Sequence, residues 1–91
     1  MQISVVIPVL NEESALPGLL EALLNQTRPP EEILVVDADS TDRSVDIVLE
    51  WGRKDQRVRY LKGRRGGCGI GRNIGIQAAA CEWIVILDCG M

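Results

Sequence analysis

The sequence predicts an α/β fold: the order β-α-β-α-β-α-β, a mainly parallel sheet, and helices on both faces. Three observations predict it. The runs "ISVVIP", "EEILVVD" and "EWIVILD" are continuously apolar rather than alternating, as in strands covered on both faces. Segments with apolar residues at helical spacing separate them. Strands that alternate with helices imply right-handed crossovers within one parallel sheet.

The first strand is "ISVVIP", residues 3–8, ended by Pro8. Residues 14–26 carry Leu16, Leu19, Leu20, Leu23 and Leu24 on a helical stripe, with Ser14 as its expected cap. Pro17 falls in the first turn, where its missing N–H costs little. "TRPP" breaks this helix and "EEILVVD" forms the second strand. Ser40 or Thr41 is expected to cap the next helix, whose stripe is Val45, Val48 and Leu49. "RVRYL", residues 57–61, alternates and suits a short edge strand. A basic, glycine-rich loop, "KGRRGGCGIG", precedes a helix read over "RNIGIQAAA". "EWIVILD" is the last strand.

The chain has 91 residues, 46% hydrophobic and 25% charged, which fits a single domain spanning 1–91 with a modest core. A net charge of −3 argues against a general nucleic-acid or membrane-surface role. No apolar run approaches the ~20 residues of a transmembrane helix. There is no histidine, which excludes a His base, a Ser-His-Asp triad or a Cys/His zinc site within these residues. Cys68, Cys81 and Cys89 have no CxxC spacing and read as reduced thiols, consistent with a cytoplasmic setting.

In sheets of this kind, ligands bind beyond the C-terminal strand ends, where strand order reverses. That rim collects Pro8–Asn11, Asp37–Ser40 and Asp88. Asp42 is better explained by helix capping than by chemistry. Asp37 stays open between a structural and a ligand-binding role. Two strand-end carboxylates in one cleft would suit a hard divalent cation shared with phosphate oxygens. The loop "GRRGGCGIGRN" admits several readings: Arg64, Arg65 and Arg72 as phosphate partners, or a solvated loop. A dinucleotide motif or P-loop fits poorly, because the spacing and the Lys and Ser/Thr positions do not match.

"SVVIPVLNEE", "ALLNQTRPPEEILVVDADSTD", "GIGRNIGIQAA" and "EWIVILD", in this order and spacing, resemble the family 2 glycosyltransferases. The resemblance runs from Ile3 to Asp88 and implies a partial, Rossmann-like GT-A fold. The implied activity is of hexosyltransferase type: transfer of a sugar from a nucleotide diphosphate sugar to an acceptor, with inversion. It further implies that Pro8, Val9, Leu10, Asn11 and Glu12 line the nucleoside pocket, with Asp37 and Asp39 near base and ribose. Arg72 and Asn73 match the family's Arg-Asn pair beside the nucleotide. Asp88 matches the first aspartate of the metal-binding DxD, so Mg²⁺ or Mn²⁺ is the implied cofactor.

Three positions depart from the family pattern. Leu10 stands where an aromatic is common, Ala38 where a second aspartate is usual, and Gly90 where the DxD has its second carboxylate. Inversion needs a general base, and the family places base and acceptor-binding half downstream. The 91 residues are therefore expected to bind donor without transferring sugar. The alternative is a non-catalytic nucleotide-binding α/β module. An apolar strand edge near residues 83–87 is expected to favour self-association. The expected location is cytoplasmic, or the cytoplasmic face of a membrane in a longer parent protein.

Overall fold

The computed structural model describes residues 1–88. The chain runs β1 (Ile3–Val9), α1 (Leu16–Leu24), β2 (Glu32–Asp37), α2 (Ser44–Lys54), β3 (Val58–Lys62), α3 (Cys68–Ala78) and β4 (Trp83–Ile86). All strand pairs are parallel, in the lateral order β3-β2-β1-β4. Strand order reverses beside β1: the chain first builds outward through β2 and β3, then returns to the other side as β4. Cys89 and Gly90, and with them the departure from the DxD pattern, lie outside the described residues.

The alternation of side chains along a strand sorts the core into two layers. Val5, Ile7 and Val9 of β1 and Ile33 and Val35 of β2 pack under Leu16, Leu20, Leu23 and Val48 of α1 and α2. Val6, Leu34 and Val36 face α3, where Ile74 and Ala78 cover them. Both faces of β2 are thus buried, which explains its continuous apolar run. Each fully buried leucine contributes roughly 1.5–3 kcal/mol.

β1 continues one residue past Pro8. Val6 C=O accepts from Leu87 N–H, so it faces β4, and alternation turns Pro8 the same way. The β4 pairing ends at Val6, so the N–H that Pro8 lacks has no strand to meet.

The helix starts differ from the sequence expectation. α1 begins at Leu16 without a side-chain cap from Ser14. Glu12 C=O instead accepts from the N–H groups of Ala15 and Leu16, at 3.2 and 3.0 Å. α2 begins at Ser44, because Ser40 and Thr41 are engaged elsewhere on the rim. Asp42 does act at the helix start, accepting from Ser44 N–H at 2.9 Å. α3 begins at Cys68, so the second half of the expected loop is helix. Its glycines are poor helix formers, but they let it lie close to the sheet. A Cβ on Gly71 would stand 3.2 Å from Pro8 Cβ, and one on Gly75 would overlap Val6 Cγ1.

Candidate functional site

The C-terminal ends of β1 and β2 lead into two loops that are stitched together. Asn11 and Asp39 both adopt positive φ, 54° and 64°, a region that Asn and Asp tolerate better than most residues. Asn11 N–H donates to Ser40 Oγ at 2.9 Å, and Asn11 Oδ1 accepts from Thr41 N–H at 2.8 Å. Glu12 N–H donates to Ser44 Oγ at 2.9 Å, and Glu13 N–H to Asp42 Oδ2 at 3.1 Å. The "STDRS" segment is therefore the splint that holds the loop after β1.

Asp37 anchors this splint. Its Oδ1 accepts from Ser40 Oγ at 2.5 Å and its Oδ2 from Ser40 N–H at 2.9 Å. The residue is 2% exposed and shares the face of Ile33 and Val35, toward α1 and α2. Its carboxylate is thus committed to the turn after β2. The charges of Asp37 and Asp39 add to burial, the larger cause, in pushing the Tyr60 phenol up. Burial alone would raise the Asp42 carboxyl, but hydrogen bonds from Ser44 and Glu13 outweigh it and hold Asp42 below the ordinary value.

Across from the splint, Gly66 and Gly67 (φ 139° and 111°) turn the chain from β3 into α3. Together these elements enclose a cavity of about 410 Å³ lined by Pro8, Val9, Leu10, Glu12, Val36, Ala38, Arg65, Gly66, Gly67, Gly71 and Asp88. Its floor is the end of β1, at the reversal of strand order, where the rule for open parallel sheets puts ligands. The start of α3 adds the partial positive charge of a helix N-terminus.

Two arginines flank the cavity, each next to a carboxylate. Arg72 Nη2 donates to Asp88 Oδ2 at 3.0 Å. Arg72 Nε is buried and meets no acceptor among the described residues. The side chain as a whole is 42% exposed, so a phosphate would meet its outer guanidinium nitrogens rather than Nε. Arg65 donates from Nη2 to the Asp39 carbonyl at 3.2 Å, with Nε 3.8 Å from the Asp39 carboxylate. Both side chains of this second pair are mostly exposed, so it is easily exchanged for another partner.

The residues expected at the site thus separate into groups. Pro8, Val9, Leu10, Glu12 and Asp88 line the cavity, and Arg72 touches it through Asp88. Asn11, Asp37 and Asp39 shape the loops around it. Asn73 lines a separate recess with Lys62, Gly63, Arg64 and Gln77. Sequence reasoning placed Ser40 on the rim but expected it as a helix cap, and passed over Ser44 as a rim tie and Val36 as a cavity wall. Only the alternation along β2, which turns Val36 toward α3, could have flagged the last of these.

Among the described residues, no three acidic, cysteine or histidine side chains converge on one point. Asp88 fits a Mg²⁺ or Mn²⁺ site of another kind. Such ions accept one or two protein carboxylates and take their other oxygens from phosphates and water. Asp88 offers carboxylate oxygens at the cavity wall, half-exposed and so reachable from it.

The chain matches the family described as Glycosyl transferase family 2 over residues 4–89. It is 41% identical to a poly(ribitol-phosphate) beta-glucosyltransferase of Bacillus spizizenii, over 97% of this chain and 14% of that protein. It is 40% identical to glycosyltransferase GlyG of Streptococcus pneumoniae, over 94% of this chain and 29% of that protein. Residues 1–349 of S. aureus TarS, solved with UDP-GlcNAc, superpose with a TM-score of 0.85 at 33% identity, covering 97% of this chain and 26% of that one. The mannosyltransferase PcManGT of Pyrobaculum calidifontis, solved with GDP-Man and Mn²⁺, gives 0.83 at 26% identity, covering 96% and 27%. This chain therefore spans less than a third of each of these relatives.

Proposed function

Because the chain belongs to glycosyl transferase family 2, we propose that it forms the donor-binding part of an inverting glycosyltransferase. In this reading the cavity between β1, β2 and the start of α3 holds the nucleotide diphosphate of a nucleotide sugar. The observation that carries it is Asp88 at the cavity wall, with the half-exposed Arg72 guanidinium hydrogen-bonded to it at 3.0 Å. The nucleotide sugars bound in the TarS and PcManGT structures support the same ligand class.

Pro8, Val9 and Leu10 supply an apolar wall for the base, with Leu10 giving contact area but no aromatic stacking. Asp39, exposed at the rim, accepts hydrogen bonds from ribose or base once Arg65 turns away. Asp37 acts on the nucleoside through the Ser40 turn that it holds. Glu12 lies at the cavity edge. Arg72 and the first N–H groups of α3 take the diphosphate. Asp88 holds the divalent cation. When bound, that cation stabilises negative charge on the leaving diphosphate. Asn73, in its separate recess, has no part in this scheme. In this reading the general base and the acceptor contacts fall to none of the 91 residues, so donor binding without turnover is expected from them.

The reading includes a cytoplasmic location, which rests on the sequence expectation of reduced cysteines. It also includes self-association of the 91-residue chain through β4, whose Trp83, Ile84, Val85 and Ile86 are exposed.

Calorimetric titration with UDP-sugars, GDP-sugars and NAD, with and without Mn²⁺, tests the proposal. Nucleotide-sugar binding that strengthens with Mn²⁺ is expected. Binding of NAD alone would overturn it, and nucleotide binding indifferent to both sugar and metal would favour a non-catalytic module.

A further inference from the structure

At the end of the sheet opposite the cavity, a buried carboxylate holds the connection between α3 and β4. Glu32 is the first residue of β2, lies on the α3 side of the sheet, and is 8% exposed. Its Oε1 accepts from Ala80 N–H at 2.6 Å and from Ser4 Oγ at 2.7 Å. Ser4 Oγ in turn accepts from Cys81 N–H at 3.1 Å. Arg59 Nη1 donates to Glu32 Oε2 at 3.2 Å. Two consecutive loop amides are therefore fixed to two side chains of the central strands.

We propose that Glu32, with Ser4, is a positioning residue that sets the Arg72–Asp88 pair by clamping the α3–β4 connection. The inference rests on the reading of that pair as the diphosphate end of the donor site. Arg72 stands near the start of α3 and Asp88 beyond the end of β4, so the clamped connection is the hinge between the two elements that carry them. α3 is seated on the sheet by Ile74 and Ala78 and by the close approach of Gly71 and Gly75 to β1, so β4 is the less firmly held of the two. β4 has exposed residues on both faces and is held by its ladder to β1.

A stability role alone would not require an acid here. Burying a carboxylate carries a desolvation cost that its partners only offset, and apolar replacements of buried ion pairs are often neutral or stabilising. A carboxylate with two oxygens in fixed positions does what an apolar side chain does not: it dictates where the amides of Ala80 and Cys81 must lie.

The test compares Glu32→Ala, Glu32→Gln and Ser4→Ala in the full chain. Affinity is measured for UDP with Mn²⁺ and for uridine, or for GDP and guanosine if the unaltered chain prefers them. Glu32→Ala is expected to weaken diphosphate binding about tenfold, the equivalent of one well-formed hydrogen bond. Nucleoside binding should stay unchanged, because its wall belongs to the loops after β1 and β2. Ser4→Ala should show the same split. Glu32→Gln keeps an oxygen for Ala80 and Ser4 and should recover most of the affinity.

Equal loss of nucleoside and diphosphate, or unaltered diphosphate affinity in Glu32→Ala, overturns the proposal. If the unaltered chain binds neither diphosphate, the donor-site reading fails by itself. Amide exchange then still tests the clamp. Protection at Leu87 and in α3 should fall in both Glu32→Ala and Ser4→Ala while that at Leu20 in α1 holds. A uniform loss across the chain would mean that Glu32 serves general stability only.

Discussion

Arg72 Nη2 lies 3.0 Å from Asp88 Oδ2, joining the first turns of α3 to the second residue past β4. The contact sets Arg72 behind Asp88 at the cavity wall and pairs the residue proposed for the diphosphate with the one proposed for the cation. Hydrogen bonds to charged groups contribute ~1.5–3 kcal/mol. Arg72→Ala is therefore expected to weaken nucleoside diphosphate binding by roughly ten- to a hundredfold. Asp88→Asn should instead remove the enhancement by Mn²⁺ and leave metal-free binding nearly as it was. Titration calorimetry at matched ionic strength measures both, and an Asp88→Asn chain that still responds to Mn²⁺ would count against the assigned metal ligand.

Gly75 faces Val6 with no room for a side chain. Over-packing of this kind costs ~1–3 kcal/mol. Gly75→Val should destabilise by at least that amount in urea unfolding, despite giving the helix a better former than glycine. The paired variant Gly75→Val with Val6→Ala should recover part of the loss. No recovery would show that α3 does not approach β1 as closely as described.

Ser40 supplies both hydrogen bonds to the Asp37 carboxylate and accepts one from Asn11. Ser40→Ala removes the hydroxyl from the first and last of these. A buried acceptor left short of a partner costs about 1–3 kcal/mol. The expected result is a lower unfolding midpoint together with weaker nucleoside binding, since the splint also holds the loop after β1. Weaker binding at full stability would instead point to a direct ligand contact by Ser40.

Acid should unfold the chain partly through Glu32. Burial alone would raise its carboxyl, but hydrogen bonds from Ala80 N–H, Ser4 and Arg59 outweigh that and hold it below the ordinary value. The folded state thus binds the proton less readily than the unfolded state. The stabilisation is complete above the unfolded pKa of about 4.3 and is lost as pH falls through the lower, folded value. Asp55 adds an effect of the same sign, chiefly through its hydrogen bond from Arg57. Thermal midpoints should be level from about pH 7 to 5 and fall below, less steeply in Glu32→Gln. An identical acid slope in that variant would remove Glu32 from the account.

β4 presents Trp83, Ile84, Val85 and Ile86 to solvent beside an unpaired strand edge among the described residues. Such edges recruit further strands. The 91-residue chain should show a scattering mass that rises with concentration, and Ile84→Lys should suppress the rise. A monomer at high concentration would reject this route.

The succession of strands and helices along the chain and the covering of the sheet on both faces were legible because burial leaves a direct mark on composition, whereas the lateral strand order was not. β2 is apolar throughout since both its faces are covered, and α1 shows its leucine stripe since one face is. Helix starts were less legible. Ser14, Ser40 and Thr41 all have good capping chemistry, yet only the neighbouring loop decides whether a hydroxyl turns to the helix or to a rim partner. The glycine-rich segment misled for a similar reason: Gly71 looks like a loop residue until Pro8 is placed beneath it, whereas Gly75 was already read as helical.

By itself the sequence determined the α/β alternation, the parallel sheet and the gathering of Pro8–Asn11, Asp37–Ser40 and Asp88 at one rim. Local periodicity and strand-end position are enough for that. Tertiary structure alone decided what those residues do with their polar atoms. It turned Asp37 into the Ser40 turn, set Asp88 against Arg72, sent Asn73 to another recess, and placed Glu32 under the α3–β4 connection. The reason is physical. A carboxylate is satisfied by whichever donor the packed chain brings within about 3 Å, and residues far apart in sequence bring most of those donors.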